Sequence, residues 1–377
     1  MKVGIFETEH FEGSYPVIKL FDNGKNELTI FSYKISYDQF KFLFGNHLQR
    51  YNWIVKNDNL SKISFIYLIF KKVKELKIEQ LYLNTITNNF IFYAILVFSL
   101  PKVRVIVTIH DINGYFELNR PYSIRKLVRY LGKKLILLSV KEFNVVSLTM
   151  VQYLQNKLPD SKVVHCIPGS IFEAEEVFNF SDEEVRCIQI VVPGIVDKRR
   201  RNYEIVFELL EKCNELNFPI CITLLGGISK EFGSNILEKI LLYSANHSNL
   251  KFYNTLLVDQ PEFDQVMNRA HFVFIPTVIN TVISDDVEEI YGKSIASGNI
   301  FDIVKHAKPF IAPELLAIDH FLEPSCIRYQ NLNAILSFIH DVLENPKTLQ
   351  SWQERAFNAS KNFTLEKVIE RNKEVFE

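Results

Sequence analysis

The chain has 377 residues, of which 47% are hydrophobic and 23% are charged. This composition is typical of a globular protein, and the length exceeds what one hydrophobic core usually organises, so we expect two domains. The net charge of -1 excludes the strong basic excess of a nucleic-acid-binding protein. The charge is uneven, because residues 1–180 contain 23 basic and 16 acidic residues and the remainder contains 20 and 28.

Strands and helices alternate in the first half. Short apolar runs separated by amphipathic stretches of helix length are typical of βα units on a parallel sheet. The predicted strands are residues 2–6, 27–32, 80–83, 103–109, 145–148 and 162–167, and the clearest helices are residues 61–76 and 123–132. The acidic segment 172–184 lacks a clear period and suits a linker between domains.

The second half repeats the pattern. Its predicted strands are residues 187–192, 220–225, 250–253, 272–275 and 309–311, with helices at 203–216, 235–243 and 263–270. We therefore predict an α/β protein with two Rossmann-like, doubly wound parallel sheets. The predicted domains are residues 1–180 and 181–355, followed by a C-terminal helix, 356–377, that could pack back on the N-terminal domain.

The five cysteines lie far apart, without a C-x-x-C motif or the Cys/His spacing of a zinc site. We expect them to be reduced core residues. Asp285 and Asp286 are adjacent, but no third ligand is placed to complete a metal site, so we expect no metal. The chain also lacks the Walker A and G-x-G-x-x-G sequences of P-loop and dinucleotide-binding proteins.

Targeting signals are not evident. Glu7 and Glu9 precede any apolar stretch at the N-terminus, unlike the residues of a signal peptide. The longest uncharged apolar run, residues 90–100, falls short of the about 20 residues needed to cross a bilayer. We therefore expect a cytoplasmic protein without a membrane span.

A cationic turn follows the first strand of the second half. The strand ends at Pro193-Gly194, and Lys198 to Arg201 precede a helix. A glycine at the carboxyl end of a strand lets the backbone approach a ligand, and a helix N-terminus with Lys and Arg suits phosphate. This polar turn, which we expect to be exposed, therefore fits a diphosphate; a solvated basic turn is the alternative.

A second polar stretch, DDVEEIYGKSIASGNIFD, spans residues 285–302. A helix that starts near Asn299, after Ser297-Gly298, would offer free backbone N–H groups to an anion. Asp302 would lie on its first turn, where a carboxylate can accept hydrogen bonds from sugar or ribose hydroxyls. Alternatively, Asp302 is an ordinary first-turn residue favoured by the helix dipole.

Polar residues also follow two strands of the first half. His110 and Asp111 come directly after the buried strand VIVTI, at the end of a strand where α/β proteins bind ligands. His110 could donate a hydrogen bond to a sugar or act as a general base beside Asp111, or it could be structural. The loop at residues 7–15, with His10, Glu12 and Gly13, would share this crevice or simply connect two elements.

The order of these motifs resembles the GT-B glycosyltransferases, in particular the retaining family-four (group 1) enzymes that use nucleotide sugars. The resemblance covers nearly the whole chain. It rests on VTIHD, KVVHCIPGSIFE, the PG strand followed by KRRRNYE, and EEIYGKS with AKPFIAP downstream. It implies two Rossmann-like domains facing a central cleft, with the acceptor on the N-terminal domain and the donor on the C-terminal domain.

The resemblance also implies residue roles. In that family an Arg and a Lys after the first strand of the second domain bind the donor diphosphate, and two glutamates eight positions apart contact the donor sugar and the ribose. Glu289 matches the first glutamate, whereas Ser297 stands in place of the second. Asp302 takes that role if the chain is matched on AKPFI. The implied donor-binding residues are Gly194, Lys198, Arg199, Arg201, Tyr291, Gly292, Lys293, Ser294, Ser297, Gly298 and Asp302.

The implied reaction transfers a glycosyl group from a nucleoside diphosphate sugar to an acceptor hydroxyl with retention and without metal. The cations would stabilise the charge on the leaving diphosphate, and His110 and Glu289 would orient the sugar as catalytic residues. No cofactor is expected beyond the nucleotide sugar as co-substrate. The acceptor would be a glycan or lipid-linked glycan of cell-surface polysaccharide synthesis. The acceptor-side residues would be His10, Glu12, Gly13 and Asp111.

Partners and alternatives remain open. The basic first domain, with lysines in segment 61–76 and a cluster at 120–134, could rest on anionic lipid at the inner face of the membrane. Segment 61–76 fits a core helix with a basic outer face better. A catalytically silent GT-B subunit that binds a partner glycosyltransferase is one alternative, which the missing second glutamate favours. A GT-B-fold sugar epimerase is another, and it requires catalytic acids and bases that the first domain offers sparsely at its predicted strand ends.

Overall fold

The computed structural model describes residues 1–9, 11–119, 123–173, 186–283 and 286–376. The chain forms two compact units. The first comprises the described parts of Met1–Ser170, Val282–Ala296 and Leu365–Glu377, and the second those of Ile171–Thr281 and Ser297–Thr364. Segment 282–296, which falls within the domain predicted at 181–355, thus packs with the first unit. Most of the predicted acidic linker lies outside the described residues, and so does Asp285.

The first unit contains seven strands and seven helices in its described residues before residue 170. The strands are β1 (Lys2–Glu7), β2 (Glu27–Tyr33), β3 (Asn52–Lys56), β4 (Gln80–Leu83), β5 (Arg104–Thr108), β6 (Glu142–Val145) and β7 (Val163–Cys166). The helices are α1 (Phe11–Phe21), α2 (Lys34–Phe44), α3 (Lys62–Glu75), α4 (Phe90–Phe98), α5 (Asn113–Phe116), α6 (Ile124–Ser139) and α7 (Leu148–Gln155).

These strands form one parallel sheet in the order β3-β2-β1-β4-β5-β6-β7. The order reverses between β1 and β4, and ligands of doubly wound sheets bind at the carboxyl ends of the strands at such a reversal. Two helices start where the sequence supplies a cap: the side chain of Ser61 accepts the N–H of Ser64, and that of Ser123 accepts the N–H of Lys126.

The second unit is built on a six-stranded sheet. Its strands are β8 (Ile188–Pro193), β9 (Ile220–Leu225), β10 (Leu250–Phe252), β11 (Phe272–Phe274), β14 (Phe310–Pro313) and β15 (Cys326–Tyr329). A separate two-stranded sheet pairs β12 (Asn280–Val282) with β13 (Glu288–Ile290), and β13 belongs to the first unit. The helices are α8 (Glu204–Glu215), α9 (Ser234–Ser244), α10 (Gln260–Arg269), α11 (Gly298–His306), α12 (Leu332–Glu344) and α13 (Pro346–Ser360). The sheet order is β10-β9-β8-β11-β14-β15, with every pair parallel.

The end of the chain belongs to the first unit. Two short helices, α14 (Leu365–Arg371) and α15 (Lys373–Phe376), bury Val368, Val375 and Phe376 in its core. Short 3₁₀ turns lie at Gly45–Arg50, Glu323–Ser325 and Lys361–Phe363. The carbonyl of Val375 also accepts a hydrogen bond from Gln80 in β4 at 3.2 Å, which ties these residues to the sheet.

The two parallel sheets confirm the predicted α/β class, and the differences from the predicted elements have physical reasons. The strand predicted at 145–148 is wrong: β6 ends at Val145 and α7 begins at Leu148, so one apolar run covers a strand end and a helix start. Strands β3 and β15 were missed because each is a sheet edge and carries polar residues within a short apolar run. All five cysteines are free, and none of the described helices is long and apolar enough to span a bilayer.

Candidate functional site

In the second unit, the candidate site is built around a tight turn at the carboxyl end of β8. Gly194 follows the strand with φ +90°, a left-handed conformation that favours glycine. Its N–H donates to the carbonyl of Leu225 at 2.8 Å. A Cβ at this position would lie 2.4 Å from Nη2 of Arg201. Glycine is therefore required here both by the backbone conformation and by the close approach of a guanidinium.

Arg201 is the side chain that holds this turn. It is only 9% exposed. Its Nη1 donates to the carbonyl of Ile195 at 2.8 Å, and its Nη2 donates to the carbonyl of Pro193 at 2.6 Å and to Oδ1 of Asn299 at 3.2 Å. Its buried Nε has no acceptor among the described residues. The prediction that the cationic turn is exposed is therefore wrong for Arg201, because its guanidinium folds back to satisfy strand-end carbonyls.

Arg199 and Arg200 of the turn contact Asp197. Arg199 donates to Asp197 from Nε at 3.2 Å and from Nη2 at 2.7 Å, and its guanidinium lies 3.5 Å from the centre of the Phe232 ring. Nε of Arg200 lies 3.7 Å from the same carboxylate. Burial alone would raise the pKa of Asp197, but the hydrogen bonds from Arg199 lower it below its usual value. Lys198 is exposed on the turn.

The N-terminus of α11 lies beside this turn. The helix begins at Gly298, and the amide of Asn299 donates to the carbonyl of Pro193 at 2.7 Å. Ser297, at the N-cap position, is buried. Asp302 is the fifth residue of the helix, so its predicted place on the first turn is wrong; the helix starts one residue earlier than expected. Gly194, Arg201, Ser297, Gly298 and Asn299 are thus brought together in one unit.

In the first unit, a buried carboxylate at the end of β1 accepts hydrogen bonds from two loops. Glu7 is fully buried. Its Oε1 accepts the N–H groups of the next two residues, each at 2.6 Å. Its Oε2 accepts hydrogen bonds from Ser14 at 2.6 Å, Asn84 at 2.7 Å and Thr85 at 2.9 Å. The carboxylate therefore joins the loop after β1 to the loop after β4, next to the point where the strand order reverses.

His110 is held by the same loop. Its Nε2 lies 3.0 Å from the carbonyl of Asn84 and 3.4 Å from the hydroxyl of Thr85. Glu12 and Gly13, which were predicted in a loop, lie in the first turn of α1, since that helix already begins at Phe11. His10, predicted with them, lies outside the described residues. His110 thus lies near the Glu7 network.

Glu289 lies in the first unit, although the resemblance implied that it binds the donor. It is buried, and its carboxylate accepts the N–H of Gly114 at 2.9 Å and the N–H of Asn113 at 3.3 Å. Burial raises the pKa of Glu289 most, hydrogen bonds from Ser294, Gly114 and Asn113 lower it, and the charge of Asp111 raises it; the net pKa is about 7. A carboxyl with this pKa can exchange a proton near neutral pH.

The predicted donor residues after Glu289 form a tight turn in the first unit. Gly292 has φ +80°, and its N–H donates to the carbonyl of Ile295 at 2.8 Å. The N–H of Ser294 donates to the carbonyl of Ile290, and the carbonyl of Ser294 accepts the N–H of Ile112, both at 2.9 Å. The predicted donor set is therefore divided. Tyr291, Gly292, Lys293 and Ser294 lie in the first unit, and Gly194, Lys198, Arg199, Arg201, Ser297, Gly298 and Asp302 lie in the second.

Asp111 has a cationic neighbour that sequence reasoning missed. Nζ of Lys133 is 3.5 Å from Oδ2 of Asp111, and the lysine side chain is only 1% exposed. The aromatic rings of Phe90 and Tyr115 lie 5.5 and 5.1 Å from the same ammonium. No local pattern marks Lys133, because it occurs in a helix with four other cations. Glu7 could have been identified from the sequence, because it is a carboxylate at the end of a buried parallel strand.

Replacing Glu7 by Gln should lower the free energy of unfolding by about 2 kcal/mol, because an amide NH₂ would face donors that now bind a carboxylate oxygen. Urea denaturation of the full chain measures this change. Glu9→Gln is the matched control, since Glu9 is exposed and accepts one side-chain hydrogen bond from Thr87. Equal stability of the two variants would show that the Glu7 network contributes little.

The raised pKa of Glu289 predicts a pH dependence of stability. The native state binds a proton between the ordinary value of 4.5 and the folded value of about 7, so this group stabilises the fold at low pH and loses that contribution as the pH rises through this window. The free energy of unfolding of wild type, relative to that of Glu289→Gln, should therefore fall by about 3 kcal/mol as the pH rises through this window. The free energies of unfolding of wild type and of Glu289→Gln are measured by denaturant titration at pH 5, 6 and 7. The same change with pH in both proteins would contradict this assignment.

Comparisons with known proteins agree with this architecture. No family model and no curated protein sequence matches the chain. The structure is similar to that of Anabaena HepE in complex with UDP-glucose, with a TM-score of 0.66 and 13% identity, over 100% of this chain and 99% of that chain. It is similar to the catalytic domain of starch synthase IV from Arabidopsis thaliana bound to ADP and acarbose, with a TM-score of 0.63 and 10% identity, over 100% and 98%.

A third similar structure is the UDP-GlcNAc 2-epimerase from Neisseria meningitidis bound to UDP-GlcNAc. Its TM-score is 0.57 at 14% identity, and the match covers 98% of this chain and 100% of that chain. At these identities the likeness establishes architecture. The two parallel sheets and the similarity along the whole chain confirm the predicted GT-B fold.

Proposed function

We propose that the protein is a glycosyltransferase that moves a sugar from a nucleoside diphosphate sugar to an acceptor hydroxyl with retention. The observation that carries this proposal is the turn after β8, where Gly194 packs on a buried guanidinium beside the start of α11. HepE and starch synthase IV, which share the fold, are bound to UDP-glucose and to ADP. We infer that a diphosphate binds at this turn.

Three features of the turn suit a diphosphate. The first N–H groups of α11 carry the positive end of the helix dipole. Lys198 is an exposed cation on the same turn, and the buried guanidinium of Arg201 adds a fixed positive charge beneath it. Fixed positive groups of this kind stabilise the charge that develops on a leaving diphosphate. We therefore propose electrostatic catalysis that needs no metal ion and no further cofactor.

The first unit would supply the groups around the transferred sugar and the acceptor. His110 and Glu289 lie in this unit, together with Asp111 and its neighbour Lys133. We propose that His110 and Glu289 orient the sugar and that Asp111 lies on the acceptor side. The acceptor would be a glycan or a lipid-linked glycan of cell-surface polysaccharide synthesis, handled in the cytoplasm.

A sugar epimerase is the second candidate, and the carboxylates of the first unit favour it. Asp111 follows β5 closely, and Glu289 has a pKa of about 7. Epimerisation needs such acids and bases around the sugar. Incubation with UDP-GlcNAc in the absence of an acceptor distinguishes the two functions, since an epimerase yields an isomeric nucleotide sugar. A silent subunit would bind no nucleotide.

Replacing Lys198 by Ala should weaken nucleoside diphosphate binding about tenfold, because one charge-assisted contact to phosphate is lost. The melting temperature without ligand should not change, since the side chain is exposed. Calorimetric titration with UDP and ADP measures the affinity. Lys347→Ala, an exposed lysine of α13 in the same unit, is the control. Equal affinities of the two variants would remove Lys198 from the proposed diphosphate site.

A further inference from the structure

The carboxylate of Glu7 accepts hydrogen bonds on both of its oxygens. Oε1 accepts the backbone N–H groups of the next two residues, and Oε2 accepts hydrogen bonds from the side chains of Ser14, Asn84 and Thr85. Hydrogen bonds from so many donors stabilise the charged form of a carboxyl group, which only accepts. Glu7 and Thr85 are 0% and 2% exposed, so water does not compete for these contacts. The network is therefore built around an ionised Glu7.

The hydroxyl of Thr85 has one proton, and Glu7 binds it. A threonine hydroxyl can donate one hydrogen bond and accept two. Over the 2.9 Å between Oγ1 of Thr85 and Oε2 of Glu7 the hydroxyl is the donor, because a carboxylate has no proton to donate. The oxygen of Thr85 therefore presents lone pairs to its other neighbours. One of these neighbours is Nε2 of His110, at 3.4 Å.

Nε2 of His110 faces two hydrogen-bond acceptors. The backbone carbonyl oxygen of Asn84 lies 3.0 Å from Nε2 and has no proton to donate. The hydroxyl of Thr85 already donates its proton to Glu7. Nε2 must therefore carry the ring proton, and in the neutral ring the lone pair is on Nδ1. The neighbours of one ring nitrogen thus determine the tautomer of His110.

Asn84 is held firmly enough to keep its carbonyl in place. Its Nδ2 donates to Glu7 at 2.7 Å, and its Oδ1 accepts the hydroxyl of Thr108 at 3.2 Å. Its backbone N–H donates to the carbonyl of Phe6 at 3.0 Å. Asn84 is only 2% exposed. Because Glu7 binds both Asn84 and Thr85, it acts on both acceptors of the His110 ring.

We propose that Glu7 is a positioning residue for His110, because it directs the proton of Thr85 away from Nε2 and so fixes the Nε2–H tautomer. Any hydrogen bond that neutral His110 makes through Nδ1 is then one that it accepts. A hydroxyl of the transferred sugar would donate to His110, and the neutral ring would not be the donor. That consequence rests on the proposed function, whereas the tautomer does not depend on which reaction the protein catalyses.

Nitrogen-15 NMR of the full chain, labelled in its histidines, identifies the tautomer. At about pH 8.5 an ordinary imidazole is neutral, and its two nitrogens give distinct signals according to which one carries the proton. The chain contains nine histidines, so His110→Gln is used to assign the signals that disappear. We expect the Nε2–H form in wild type. The Nδ1–H form, or an even mixture of the two, would overturn the proposal.

Glu7→Gln should raise the share of the Nδ1–H form of His110 about fivefold, the effect of one net hydrogen bond. The amide oxygen would stay with the backbone N–H groups, and NH₂ would face the hydroxyl of Thr85, whose proton could then turn toward Nε2. Glu9→Gln is the matched control, since Glu9 is exposed and the change of charge is the same. It should keep the wild-type tautomer. An unchanged tautomer in Glu7→Gln would overturn the role of Glu7.

Two variants of Thr85 test the route from Glu7 to the ring. Thr85→Val has nearly the same shape without a hydroxyl, and Thr85→Ser keeps the hydroxyl. In the valine background Glu7→Gln should leave the Nε2–H form unchanged, because no hydroxyl proton can turn toward the ring. In the serine background the fivefold rise should persist. An equal effect of Glu7→Gln in both backgrounds would indicate a general disturbance of the loop and would overturn the route through Thr85.

Turnover with a nucleotide sugar separates this positioning role from the proposed function. Glu7→Gln should lower kcat about threefold or more, because the ring is less well oriented, and should leave the affinity for UDP within about twofold of wild type. The Nε2–H form in wild type without transfer from any nucleotide sugar would contradict the transferase and support the positioning role. Transfer by wild type with His110 in the Nδ1–H form would contradict the positioning role alone.

Discussion

Glu289→Gln should reduce sugar transfer by about 10²–10³-fold, the loss typical of one preorganised charged contact in an active site. The carboxylate is buried and is fixed by the N–H groups of Asn113 and Gly114, and an amide would leave one of these donors facing NH₂. Binding of nucleoside diphosphate should change little, because the proposed diphosphate turn belongs to the second unit. Turnover with a nucleotide sugar and calorimetric titration with the diphosphate separate the two effects.

Glu288→Gln is the matched control for this prediction. Glu288 precedes Glu289 in β13 and is exposed, and its backbone carbonyl accepts a hydrogen bond from the amide of Asn113. The same change of charge at this position should leave transfer within about twofold of wild type. Equal losses of transfer in both variants would point to a general charge effect. Loss of diphosphate binding in Glu289→Gln would mean that its proposed role beside the sugar is wrong.

Arg201→Ala should destabilise the second unit by about 2–4 kcal/mol, because hydrogen bonds from a buried guanidinium to Pro193, Ile195 and Asn299 are lost together. Urea unfolding measures the change. Arg200→Ala is the control in the same turn, since Arg200 is half-buried and its ion pair with Asp197 spans 3.7 Å. Matching unfolding curves for the two variants would contradict the structural role of Arg201.

The stabilising role of Arg201 changes how the cationic turn should be tested. Removing the Arg201 side chain would disorder the turn. Nucleotide binding would then weaken even if the guanidinium never touched phosphate. Lys198 is exposed, so Lys198→Ala reports on phosphate binding without this complication. The sequence pattern KRRR marked the right turn but could not tell these residues apart, because the direction of the Arg201 side chain depends on carbonyls at the end of β8 and on Asn299 of α11.

The sheets could be predicted because buried parallel strands are short, nearly continuous apolar runs. The site was harder to predict, because its contacts join residues that are distant in sequence. Glu289 contacts Gly114, 175 residues earlier in the chain, and this pairing moves the EEIYGKS segment into the first unit. Likewise, Glu7 acquires its role from Asn84 and Thr85. Local sequence shows only that a carboxylate ends a strand.

The measurement that tests the central claim most directly is a thermal-shift panel with UDP, GDP, ADP and CMP on wild type, Lys198→Ala and Lys347→Ala. A ligand that binds only the native state raises the melting temperature, and the rise grows with ligand concentration and affinity. We predict a shift with at least one nucleoside diphosphate that is retained in Lys347→Ala and reduced in Lys198→Ala. The absence of a shift with every nucleotide, or an equal shift in both variants, would contradict a diphosphate site at the turn after β8.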